Sequence, residues 1–289
     1  MAMKILIVSD SHGNNRNLIQ AVKNMSGTMD MMIHLGDMEC SPDRIRELVD
    51  CPVELVKGNC DYGNELQGAK LIQIGALFMA IKDEQNGVSW LEWPEILRKR
   101  DNKALAVERE KLKDEIKFWE CVQFLFFTQW KKLKAYANEN GIKIIGDIPI
   151  YVSSDSADVW ANPEQFQLDD NLMPISVAGC PPDGFSADGQ LWGNPLFNWK
   201  VMKEQDYNWW VDRIAYQTQI YDMLRIDHFR GFDAYYSIPY GDKTARNGEW
   251  KEGPGIDLFN VIKEKLGELP IIAEDLGFLT DSVRKLLKD

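Results

Sequence analysis

Residues 207–231 read YNWWVDRIAYQTQIYDMLRIDHFRG, a helix-like half running into a short apolar strand that ends in charge. The same order occurs twice more. EREKLKDEIKFWECVQFLFFTQWKKLKAYANENG (108–141) leads into IKIIGDIPIYV (142–152), and GIDLFNVIKEKLG (255–267) leads into LPIIAEDLG (269–277). In the longest helical stretch Phe118, Val122, Leu125, Gln129 and Leu133 fall along one side, and Gly141 is placed as a stop. Phe124, Phe126 and Phe127 are expected in the core. IKIIGDIPIYV is almost wholly apolar, as parallel strands buried on both faces are. Helix then strand, three times, is the plan of a (β/α) barrel, whose chemistry gathers at the carboxyl ends of its strands.

Those ends carry Asp147, then Arg225 and Asp227, then Glu274 and Asp275. An Asp and a Glu on successive strands suit glycosidic chemistry. One carboxylate attacks the anomeric carbon and the other acid protonates the departing oxygen, with roughly 5–5.5 Å between them for retention. Arg225, two residues before Asp227, lies on the same face of its strand and is placed to keep that carboxylate ionised. The plainer alternative is that Asp227 and Glu274 cap the helices that follow.

The first 75 residues follow a related plan with different residues at its ends. KILIVSD (4–10), MMIHLGD (31–37) and PVELVKGNCD (52–61) are apolar runs that break into polar turns, with helical NLIQAVKNM (17–25) after the first. This is a βαβ pattern with a parallel sheet. Its strand ends bring Asp10, His12, Asp37, Asn59 and Asp61, an oxygen and imidazole set suited to two hard divalent cations such as manganese. Turn and cap roles for these residues are the alternative.

Composition narrows the classes. A net charge of -12 argues against a nucleic-acid or anionic-membrane surface, and no apolar stretch is long enough to span a bilayer. MAMKILIVSD reads as a strand, not a signal peptide, so a cytoplasmic protein is expected. The five cysteines have neither pairing nor zinc spacing. All ten tryptophans lie beyond Gly75, only Tyr62 among the aromatic residues precedes it, and seven of the eleven methionines do. KLIQIGALFMAIKD (70–83) sits at this change. KLIQIG is read as a short strand closed by glycine and ALFMAIKD as the start of a helix, with a boundary between 75 and 76. Two domains are expected, 1–75 and 76–289.

SDSHGN, HLGD and GNCD, in that order, resemble the opening motifs of the calcineurin-like metallophosphoesterases, especially small bacterial phosphodiesterases. The resemblance implies that Asp10 and His12 bind one metal, Asp37 bridges and Asn59 binds the second. That family also draws on several later histidines, and here only His34 and His228 follow His12. From Ala76 onward SWLEWP, GDIPIYVSSDSADVW, PPDGFSADGQLWGNPLFNW, RIDHFRGF and IAEDLG resemble the 4-α-glucanotransferases, or amylomaltases, of glycoside hydrolase family 77. The fold implied is α/β, a partial (β/α)8 TIM-barrel segment after an incomplete metallophosphoesterase-like βαβ unit. By this resemblance Asp227 is the nucleophile and Glu274 the acid/base. Arg225, His228, Asp183, Gln190 and Trp192 border the sugar, a maltooligosaccharide or other α-1,4-glucan, and no cofactor is required. The loop 181–195 is expected to close over the glucan. The chain then reads as joined segments of two unrelated enzymes, with three alternatives: glucanotransferase, metal-dependent phosphodiesterase, or non-catalytic remnant that still binds maltooligosaccharides.

Overall fold

The computed structural model describes residues 4–8, 16–25, 27–34, 42–55, 69–274 and 280–287. They fall into two compact units, Met1–Ala80 with Leu112–Gln123, and Ile81–Lys111 with Phe124–Asp289.

In the first unit β1 (Ile5–Val8), α1 (Arg16–Met25), β2 (Met31–His34), α2 (Pro42–Arg46) and β3 (Val53–Leu55) build a parallel sheet of order β1-β2-β3. This is the expected βαβ pattern. All four residues of β2 are buried, and Leu18, Val22 and Ile45 from the two helices form one cluster with Met32. The apolar faces of α1 and α2 thus pack on Met32 of the central strand β2.

KLIQIG is not a strand. It belongs to α3 (Ala69–Glu84), and Gly75 lies inside that helix. Ala76, Leu77, Phe78, Ala80 and Ile81 are all buried. A helix buried around most of its circumference has no polar stripe to betray its period, so a six-residue apolar run taken from it is easily mistaken for a strand.

The helices α4 (Glu95–Arg98), α5 (Asn102–Lys111) and α6 (Lys113–Glu139) follow. Gly141, at φ +74°, takes the left-handed conformation after α6, and the Ile142 amide donates to the Ala137 carbonyl at 2.9 Å. This is the helix stop that the sequence indicated. In the second unit α6 packs through Phe127 and Trp130, whose rings meet Tyr216 and Tyr221 at 5.7 and 5.8 Å. Phe126 is not in the core: it is 55% exposed, as are Leu133 (54%) and Tyr136 (67%) along the adjacent side of the helix.

After α6 come β4 (Ile145–Pro149), α7 (Ala157–Ala161), β5 (Ser176–Cys180), β6 (Gln190–Pro195), α8 (Trp199–Glu204) and α9 (Asn208–Ile220). Then follow β7 (Met223–Asp227), β8 (Ala234–Pro239), β9 (Glu249–Glu252), α10 (Ile256–Leu266), β10 (Ile271–Ala273) and α11 (Asp281–Leu286). The three strands expected from the helix-strand alternation form one parallel sheet, β10-β7-β4, with Asp147 opposite Arg225 and Pro149 opposite Asp227. Trp210 and Ile214 of α9 and Leu258 of α10 are fully buried, and Trp210 meets Phe232 edge to face at 5.0 Å. Gly146 is required by this packing, because a Cβ built on it would come within 2.0 Å of Tyr221 Cδ2.

A second, antiparallel sheet of order β6-β5-β8-β9 has no counterpart in the sequence reading. The last six residues of the segment read as loop 181–195 form strand β6, hairpin-paired with β5. SVAGC and QLWGNP lack the apolar alternation that marks a strand, and Gly and Pro within them mimic a loop.

Candidate active site

The site is built at the carboxyl ends of β4, β7 and β10. Parallel pairing in register sets Asp147 beside Arg225, and alternation along β7 puts Arg225 and Asp227 on one face. The Arg225 guanidinium donates from Nη1 to both Asp147 carboxylate oxygens at 2.7 Å and from Nη2 to Asp227 Oδ1 at 3.0 Å. The fork of donors on one arginine thereby fixes two carboxylates from neighbouring strands. Hydrogen bonding to Asp147, the larger influence, holds the Arg225 pKa above its ordinary range, with Asp227 adding to it. This face is wet: the Asp147 and Asp227 side chains are 60% and 50% exposed.

Immediately after Asp227 the chain turns through His228 at φ 54° and ψ 43°, a left-handed conformation that is uncommon for a residue with a Cβ. The turn aims the His228 amide at Glu274, whose Oε2 accepts at 3.0 Å, while the Glu274 amide donates to the Ile226 carbonyl at 3.1 Å. Glu274 is thus tied to the same turn that carries Asp227. Gly231 completes the turn, since a Cβ there would approach Ile150 Cδ1 at 2.8 Å and His228 Cδ2 at 3.2 Å.

The His228 ring meets Trp192 edge to face at 4.8 Å. Its Nε2 is buried with no hydrogen-bond partner among the described residues. Burial pushes its pKa down to about 4, Arg230 acting in the same direction and Asp227 against it. Trp192 Nε1 donates to Gln190 Oε1 at 3.0 Å, so these two residues of β6 are joined to the site through the indole. Tyr151, beyond β4, lies 6.3 Å from Trp192, and burial raises its phenol far above the ordinary range. Asp183 folds its own loop, accepting from the amides of Phe185 at 2.8 Å and Ser186 at 2.7 Å.

The structure therefore brings Asp227, Glu274, Arg225, His228, Trp192 and Gln190 into one connected group, and it places Asp183 in the adjoining hairpin loop. Asp147 belongs with them. Its position at a strand end was visible in the sequence, whereas its bond to Arg225 arises from cross-strand register. Arg213 of α9 was not singled out. It donates to the carbonyls of Pro149 at 2.8 Å and Ile150 at 3.2 Å, stacks on Trp209 and Trp210, and is lowered by burial to about 10. It braces the end of β4 beside Asp227. The metal-binding candidates Asp10, His12, Asp37 and Asn59 lie outside the described residues. Among the described residues no group of three or more His, Cys, Asp or Glu is placed to hold a metal ion, and no helix is long and apolar enough to cross a membrane.

Parallel strands reached through helices, with acids gathered at their carboxyl ends, define a segment of a (β/α) barrel. The profile of the 4-alpha-glucanotransferase family matches residues 66–289, and that of the calcineurin-like phosphoesterase superfamily domain matches residues 3–117. A 4-alpha-glucanotransferase of Clostridium butyricum is 52% identical over 214 residues, covering 74% of this chain and 44% of its own. One from Aquifex aeolicus (strain VF5) is 52% identical over 211 residues, 73% and 43% of the two chains. An amylomaltase from Streptococcus agalactiae, solved in complex with acarbose, superposes with a TM-score of 0.75 at 42% identity, over 95% of this chain and 50% of that one. The chain belongs to the 4-alpha-glucanotransferase family. It spans less than half the length of these two curated relatives.

Proposed function

We propose that the region 76–289 serves 4-α-glucanotransfer, moving α-1,4-glucan segments between maltooligosaccharides by double displacement with retention. The observation that carries this reading is the pairing of two acids around one turn: Asp227 held by Arg225, and Glu274 held by the His228 amide. Asp227 attacks the anomeric carbon as the glycosidic bond breaks, and its electron pair goes to the departing oxygen, which takes the proton of Glu274. Glu274 then removes the proton of an acceptor hydroxyl, whose oxygen displaces Asp227 and restores both acids. Trp192 offers an indole face to a glucose ring, and His228, Arg225, Gln190 and Asp183 supply polar contacts to its hydroxyls. The acarbose complex of the Streptococcus agalactiae amylomaltase supports a sugar ligand of this class. Carboxylates suffice for the chemistry, so the reading needs no cofactor. With its charge of -12 it also needs neither nucleic acid nor membrane, and a cytoplasmic setting suits it.

Purified chain incubated with maltotriose is expected to give glucose and longer maltooligosaccharides by chromatography, and Asp227→Asn to abolish them. Folded protein that yields neither would sink the reading. Sugar binding without turnover would select the non-catalytic remnant instead.

The phosphoesterase match over residues 3–117 favours a second reading, a metal-dependent phosphodiesterase in the region 1–75. The donor set does not fit a complete two-metal site: besides His12 the chain has only His34, buried in β2, and His228 in the other unit. Stoichiometric manganese binding by calorimetry would revive this alternative.

A further inference from the structure

The loop between β4 and α7 touches the site at one end and is anchored at the other. At its near end Tyr151 is buried, stacks on Phe197 at 5.9 Å and lies 6.3 Å from Trp192. The Tyr151 hydroxyl would stand 3.5 Å from a Cβ on Gly231, so this side chain also reaches the turn that follows Asp227. One residue on, the Val152 carbonyl accepts from Asn194 Nδ2 at 2.8 Å. Asn194 stands two residues beyond Trp192 on β6, so the same loop steers that strand through its backbone as well as through Tyr151.

The far end is held by Asp155. Lys82 of α3 donates to its Oδ2 at 2.6 Å, and the Trp90 amide to its Oδ1 at 3.3 Å. The buried Trp90 also donates from Nε1 to the Ser154 carbonyl at 2.7 Å, while Lys82 donates to the Val88 carbonyl at 3.3 Å. One carboxylate thus joins the loop to two points of the segment 82–90. The Asp155 and Lys82 side chains are 36% and 19% exposed, which leaves the pair less screened than an ion pair in open solvent. Capping a helix is the ordinary work of an Asp in such a loop, but here that work falls to Ser156, whose Oγ accepts from the Val159 amide at 3.4 Å.

We infer that Asp155 is a positioning residue of the glucan site: held by Lys82 and Trp90, it fixes the loop that presents Tyr151 and Trp192 to a glucose ring. Its bearing on sugar rests on the function proposed above, whereas its hold on Trp192 follows from the geometry alone.

The test uses the full chain with isotope-labelled tryptophan. The Trp192 indole N–H resonance, assigned by its loss in Trp192→Phe, is expected to shift or broaden in Asp155→Asn and in Lys82→Met. The double variant should resemble either single one, because the two side chains act as one contact. Lys203→Met, which breaks an exposed ion pair with Asp257, should leave Trp192 in place. With maltotriose, Asp155→Asn is expected to raise KM about tenfold and to change kcat less than about twofold, as when binding rather than chemistry is lost. Should Asp155→Asn fail to fold by circular dichroism, Lys82→Met carries the test. A Trp90 resonance that moves while Trp192 stays in both variants overturns the inference, as does a loss of kcat at unchanged KM. A parent chain that transfers no glucan while Trp192 responds to both substitutions removes the functional reading and supports the hold of Asp155 on Trp192.

Discussion

The two parallel sheets of this chain share an architecture and differ in how they are covered. Among the described residues both have three strands, and both order their strands by βα crossovers. β2 is buried at every residue, so neighbouring side chains pointing to opposite faces are both covered. β4 alternates instead, with Gly146 and Ile148 buried while Ile145, Asp147 and Pro149 are exposed. The sequences MMIH and IIGDIPI look equally apolar, yet only one strand lies in a sheet covered on both faces. A wet face is where ionised carboxylates are held most cheaply, and it is the face on which Arg225 collects Asp147 and Asp227.

That contrast can be broken by substitution. In the first sheet Met32→Ala and Ile33→Ala, side by side and on opposite faces, are each expected to cost about 2–5 kcal/mol in urea unfolding. In the second sheet Ile148→Ala is expected to cost about the same, and Ile145→Ala less than about 1 kcal/mol. Equal losses at Ile145 and Ile148 would mean that both faces are covered.

The turn after β7 gives a smaller and pH-dependent effect. An unfolded chain takes up a proton on His228 near pH 6.5, whereas the folded chain does so only near 4. The stability that neutral His228 provides is therefore whole above pH 6.5 and lost as pH falls to 4, up to about 3 kcal/mol. His228→Gln should flatten that part of the profile, measured as the difference from the parent in urea midpoints across pH. Parallel profiles would show that the imidazole is not shielded. The smallest effect is expected on the wet face: Asp147→Asn should leave the unfolding midpoint where it is while lowering the pKa of Arg225 toward its ordinary range, observable by guanidinium NMR.

Much of this was legible beforehand. α9, β7, α10 and β10 follow from helical spacing, from Gly255 and Gly267 at the helix ends, and from short apolar runs that end in acids. The acids at those ends were legible for the same reason. KLIQIG was not, because a short apolar run carries no period when its helix is buried on most sides. The antiparallel sheet was hidden by the glycines, prolines and polar residues of β5, β6 and β9. Within the site, the bonds that matter most cross between strands. Arg225 to Asp147 depends on register, and His228 to Glu274 on a left-handed backbone, and neither is written in local spacing. Arg213 was missed because an arginine amid helix tryptophans reads as surface, whereas it is half-buried and bonds the backbone at the end of β4.

Gly146 and Tyr221 show how tightly that framework is set. With the ring pressed against bare backbone, the strand has no slack to slide along the helix end, so the pair behaves as a key in a slot. Alanine at 146 would lever the ring away and carry with it Trp130, which packs on Tyr221 and bonds the neighbouring Ile220 carbonyl. The sizes of the two side chains are therefore coupled: room for a Cβ at 146 comes only at the expense of the ring at 221.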